Sequence, residues 1–288
     1  MTAAEATAAA QPSRRRFRAL RRANLIVGAV IILALVGVAI LSLFWTPVPP
    51  AKMQITHKLQ PPFGFGLLGT DQLGHDVLSM LMAGCGNSLS ISVSAVAIGG
   101  TLGTIIGVTA AAQRGLFEAL VMRACDVIFA LPPILSAMIL GAFLGTGRMT
   151  AIIAIAVFMV PVFARVALGS ALQAWSRDYV LAARAIGNTQ LSITLRHVLP
   201  NIMGSIIVQA TIQLGLAILT EAGLAFLGLS VPPPAPTWGR MLADAQTYFH
   251  VAPWLALLPG LAIALSVLGF NLLGDGLRDL LDPREATR

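Results

Sequence analysis

Six apolar runs, each long enough to cross a bilayer, constrain this chain more than any other feature. They cover approximately residues 25–45, 88–112, 127–145, 150–170, 201–225 and 253–274. The first, Leu25 to Trp45, is 21 residues long. A helix of that length spans about 31 Å, matching a hydrocarbon core of about 30 Å. Lipid offers no partner to a bare backbone N–H or C=O, so every run is expected to be helical. The expected fold is an all-α membrane protein with six transmembrane helices. Charged residues make up 11% of the chain, against roughly a quarter in an ordinary soluble domain. Mean hydropathy of +0.83 agrees with the membrane class.

The sequence pI near 10.7 raises nucleic acid as a partner. The basic residues, however, cluster beside the apolar runs, where they act as topology determinants. Fifteen of the nineteen Lys and Arg residues fall on one side when the N-terminus is placed in the cytoplasm, leaving Lys52, Lys58, Arg148 and Arg240 outside. Both termini are therefore expected in the cytoplasm, with the chain crossing the membrane several times. Ser13-Arg14-Arg15-Arg16-Phe17-Arg18 resembles a twin-arginine export signal, but the run after it is too long for a signal core and no small-x-small cleavage site follows. It is expected to be a retained first helix.

The resulting plan is a basic cytoplasmic tail (1–24), a first transmembrane helix (25–45), a periplasmic segment (46–87), a five-helix core (88–275) and a cytoplasmic tail (276–288). Within the core, a cytoplasmic loop covers 171–200 and a periplasmic loop 228–252. Pro132-Pro133, Pro161 and Pro259 fall inside the third, fourth and sixth runs and are expected to kink them. Cys85 and Cys125 form no CxxC pair and read as small buried residues. Asp71, His75 and Asp76 could be imagined as a metal site, but Thr70 or Asp71 is expected to cap a short helix before the second span, so no metal site is assigned.

Between the fourth and fifth runs the chain reads YVLAARAIGNTQLSITLRHVLPN, Tyr179 to Asn201. Leu191, Leu195, Val198 and Leu199 are spaced to share one helical face, with Gln190, Thr194 and His197 on another. Gly187 permits a turn between two short helical pieces and Pro200 can open the next helix. On pattern alone this is either an amphipathic helix on the membrane surface or a docking element. Ala182-Ala183, Gly187 and Leu199-Pro200 resemble the loop motif of permease subunits in ATP-binding-cassette importers. GTDQLGHDVLS (69–79), MRACDVIFALP (122–132), LGLSVPPPAPTWGRMLAD (227–244) and the stretch from Ala252 to Arg284 resemble the second permease of the dipeptide/oligopeptide branch.

The resemblance implies the type I importer transmembrane fold, multi-pass in a bacterial inner membrane, with a coupling element that enters a cleft on an ATPase. It places Ala182, Ala183, Arg184, Gly187, Leu191, Leu195, Leu199 and Pro200 in that element. Where the family usually has Glu, this chain has Leu181, so apolar burial is expected to dominate the contact. A P-loop needs Gly-Lys-Ser/Thr, and the only lysines, Lys52 and Lys58, lie in AKM and HKL. The chain is thus expected to be non-catalytic and to bind no cofactor, with ATP and Mg on partner ATPases. Other implied partners are a second permease and a periplasmic solute-binding protein, working by alternating access. On the fifth run, Ser205, Gln209, Gln213 and Thr220 fall in one stripe with Asn201, lining either the pore or an interhelical contact. The expected cargo is peptide. Nickel, glutathione or another small solute is the alternative, and an ATP-independent channel or secondary transporter is the different-class reading.

Overall fold

The computed structural model describes residues 11–281, with side chains from Ala23 onward other than Pro133; the outer parts of both basic tails, 1–10 and 282–288, lie outside the described residues. Among the described residues the regular structure is helical. The long elements are α1 (Gln11–Phe44), α2 (Val77–Gln113), α3 (Gly115–Ala130), α4 (Pro133–Leu144), α5 (Arg148–Trp175), α8 (Leu199–Phe226) and α10 (Trp254–Leu281). Short helices α6 (Asp178–Ala185) and α7 (Gln190–Ile193), with a π-turn at Thr194–Val198, occupy the inner connection. The short helix α9 (Trp238–Ala245) occupies the outer one.

Four expectations change. The second span starts at Val77, not 88, so the outer segment ends at Asp76. Its carboxylate accepts from Ser79 N at 2.9 Å and from Ser79 Oγ at 2.6 Å, a cap that lets the small, mixed residues of 77–87 join the helix. Asp71 caps no helix. Its Oδ1 accepts from Leu73 N and His75 N, and its Oδ2 meets His75 Nδ1 at 2.7 Å, which holds a tight turn. The third run, 127–145, is not one helix: α3 and α4 meet at 87° beside Pro132-Pro133, where the missing N–H groups break the ladder. Among the described residues five helices are long and apolar enough to cross a membrane, six if this bent pair is one span. Pro161 and Pro259 lie within uninterrupted helices. The last helix runs to Leu281, so the proposed tail at 276 begins inside it.

Packing is organised around α2, α5 and α8, which share one core with Ile91, Val96, Ile155, Met159, Phe163, Ile202 and Ile206. The most extensive helix–helix packing is between α2 and α5. Gly99, Gly103 and Gly107 of α2 lie against the backbone carbonyls of Ala156, Val160 and Ala164, and a Cβ at those three positions would come within 2.6, 2.5 and 2.3 Å of them. This is the small-xxx-small geometry that lets membrane helices pack without an aqueous hydrophobic effect. A second core at the outer end joins Val77, Cys85, Ile218, Ala222, Trp238, Met241 and Leu255, bringing α9 onto α2, α8 and α10. Both cysteines are buried free thiols.

Candidate functional site

The inner connection folds as two short helices around Gly187. The amide of Gly187 donates to Arg184 O at 3.0 Å and that of Asn188 to Ala183 O at 3.2 Å. With Gly187 at φ +86°, this pair of bonds is a Schellman stop for α6. Thr189 then caps α7 by accepting from Ser192 N at 3.3 Å. Gly187 thus performs the turn expected of it, and Pro200 sits in the first turn of α8.

The face predicted for the second piece is divided. Leu191 and Leu195 are 69% and 55% exposed, whereas Val198 is fully buried and Leu199 packs against the core. The cause is the π-turn at Thr194–Val198. Its i→i+5 bonding inserts one residue into the helical register, rotating the residues after it by about 100°. Ile193 and Val198, five apart, both turn into the core, and Thr194 is buried as well, so it leaves the polar face expected for it with Gln190 and His197.

Ala183 and Val180 of α6 join the same core, while Ala182 and Arg184 face outward. The Arg184 guanidinium lies 5.7 Å from the Trp175 ring centroid at the end of α5. Gln190 Nε2 donates to Ala112 O of α2, and Asn201 Nδ2 donates to Tyr179 Oη. The element is therefore fixed to the bundle on one side and presents a bare apolar knob on the other: Leu181, Ile186, Leu191 and Leu195. Ile186, 81% exposed, was missed by pattern reading because it precedes the turn glycine rather than falling in a helical repeat.

On α8, Ser205 is exposed, Gln209 half-buried and Gln213 buried. Thr220 is half-buried and its hydroxyl donates to Leu216 O of its own helix at 2.8 Å. A separate groove of about 480 Å³ runs between α2 and α8, walled by Val93, Ala97, Met203 and Ile207 with Phe163 at its floor.

A family sequence description, the binding-protein-dependent transport system inner membrane component, matches residues 99–287. The chain belongs to that family. It is a multi-pass inner-membrane permease subunit of an ATP-binding-cassette importer, which sets aside an ATP-independent channel. This permease is 38% identical to the glutathione transport system permease protein GsiD of Pectobacterium atrosepticum over 271 residues, 94% of its own length and 89% of the relative's. It is 45% identical to the protein of the same name from Escherichia coli over 216 residues, covering 75% and 71% of the two chains. Among solved structures, the inward-facing MetNI methionine ABC transporter superimposes with a TM-score of 0.60 at 18% identity, covering 70% of the permease and 96% of that chain. A second crystal form gives 0.59 at 19%. At such identity the match speaks for the fold.

Proposed function

We propose that this permease forms one half of a translocation pore for short peptides, with glutathione, itself a tripeptide, as the leading candidate cargo. The observation carrying the cargo reading is the similarity to glutathione permeases along 94% of the chain. Two ATPase subunits holding ATP and Mg, a second permease and a periplasmic binding protein complete the assembly. Leu181, Ile186, Leu191 and Leu195 enter the cleft of one ATPase. Burying four such side chains supplies about 1.5–3 kcal/mol each before ordering costs are subtracted. Gly187 and the Schellman bonds fix the angle of the knob, and Pro200 starts the helix that carries its displacement into the membrane. ATP binding shifts the pore because the knob makes different contacts in the two states. Ser205 and Gln209 are the polar positions open to a pathway.

Uptake of labelled glutathione into cells with and without this permease, competed by di- and tripeptides and by nickel, tests the cargo. Peptide competition with no effect of nickel is expected; nickel uptake untouched by peptides refutes it. Retention of ATPase subunits during purification is expected, and repeated isolation as a lone oligomer refutes the coupling role.

A further inference from the structure

At the outer end of α8 the bundle encloses a carboxyl group to which neither the coupling knob nor the pathway gives a role. Glu221 has no exposed surface, and a buried acidic side chain must find hydrogen-bond partners. Ser230 Oγ donates to Glu221 Oε1 at 3.1 Å. Among the described residues Oε2 has no hydrogen-bond partner, and Ser88 and Thr237 are the other hydroxyl residues beside the carboxyl group. All three hydroxyl residues are buried, and they come from α2 and from both ends of the outer loop.

Two of these hydroxyls are engaged a second time. Ser88 Oγ accepts from Trp238 N at 3.3 Å, and Thr237 Oγ1 accepts from Arg240 N at 3.2 Å. Those amides belong to the first turn of α9, which has no intrahelical acceptor for them. With N–H groups arriving at both hydroxyl oxygens, the hydroxyl protons can point at the Glu221 carboxyl oxygens, which accept. The two hydroxyl residues that receive the first-turn amides of α9 are thus the ones that flank Glu221. Backbone contact reinforces the joint: a Cβ on Gly239 would lie 2.3 Å from Ala222 O.

We propose that Glu221 is a positioning residue that clamps the external helix α9 to α8. The span from Gln190 to Phe226 is 37 residues, about 55 Å of helix. The apolar knob sits at its inner end and Glu221 near its outer end. One rod therefore links motion at the ATPase to the seating of α9 beneath an external binding protein. The linkage rests on the importer reading; the clamp does not.

Hydrogen exchange on the intact permease complex tests the clamp with Glu221→Gln, Thr237→Val and the double variant. Glutamine keeps the shape and turns N–H donors toward the hydroxyls. Exchange in the first turn of α9 is expected to rise about tenfold or more, with the double variant falling short of the product of the single effects. Parent-like protection in Glu221→Gln, or a full product in the double, overturns the clamp. If Glu221→Gln fails to assemble, Ser230→Ala is expected to give the same localised signature at smaller amplitude, and unchanged exchange there overturns it equally. In the reconstituted importer, Glu221→Gln is expected to keep basal ATP turnover and lose most stimulation by the loaded binding protein. Full stimulation with a loosened α9 overturns the linkage and leaves the permease assignment standing, whereas a parent complex without ATPase subunits overturns the importer reading.

Discussion

Adding one methyl group to α2 tests how tightly its backbone is held against α5. In Gly107→Ala the new Cβ would stand 2.3 Å from Ala164 O and 2.8 Å from Ala167 Cβ, and in Gly103→Ala it would stand 2.5 Å from Val160 O. Backbone carbonyls in a packed helix cannot rotate aside, so the two helices must part by about 1 Å to restore ordinary contact. A gap of that size forfeits up to about half of the dispersion attraction across the affected surface. Overpacking of this kind costs about 1–3 kcal/mol, and the better helix propensity of alanine offsets up to about 1 kcal/mol of that. The net expectation is a loss of about 1–2 kcal/mol, larger at Gly107 than at Gly103.

Gly169 on α5 and Gly223 on α8 are internal controls, since a Cβ there meets nothing within 4 Å. Alanine at either position should leave stability unchanged or raise it. The buried thiols of Cys85 and Cys125 supply the assay: a maleimide dye added during a thermal ramp labels them only as the bundle opens. At about 2–4 °C per kcal/mol, Gly107→Ala should fall several degrees below the parent while Gly169→Ala does not. Equal midpoints for Gly107→Ala and the parent, or an equal fall for Gly169→Ala, would refute the close-contact argument.

Three further outcomes are expected. Leu191→Asp with Leu195→Asp should leave the chain inserted and abolish ATP-driven uptake, because charge would be forced into an apolar cleft; full uptake at normal expression refutes docking through those residues. Gly187→Ala should reduce uptake and free Ile186 and Asn188 to exchange faster, since φ +86° costs a side-chain-bearing residue roughly 1–2 kcal/mol while space around it is open; unaltered exchange refutes the Schellman stop. Burial raises the Asp244 carboxyl above its usual 3.8, partly opposed by Arg240. The folded state then holds that proton more tightly, so its stabilising contribution is present at low pH and is lost as pH rises through the raised value. Asp244→Asn should flatten the stability–pH profile from pH 3.8 upward, and an unchanged slope there refutes the assignment.

The range of each interaction decides whether the sequence discloses it. A membrane helix satisfies its backbone internally, so apolar length alone exposes α1, α5, α8 and α10. Gly187 is equally legible, because a left-handed turn is decided within a few residues. The start of α2 is less so: Ser79, Gly84, Gly86 and Asn87 dilute the apolar run, and they belong to the helix because Asp76 caps it and Trp238 covers Gly84 from the other end of the chain. The π-turn leaves no mark in the apolar spacing, yet it decides that Leu191 and Leu195 stay outside while Val198 turns in. Glu221 is the extreme case. Its setting requires Ser88 and Thr237, and the bond tying Ser88 to Trp238 crosses 150 positions. Even so, an acid within an apolar helix signals that distant donors must converge on it, because an unpaired buried acid would destabilise any bundle that contained it.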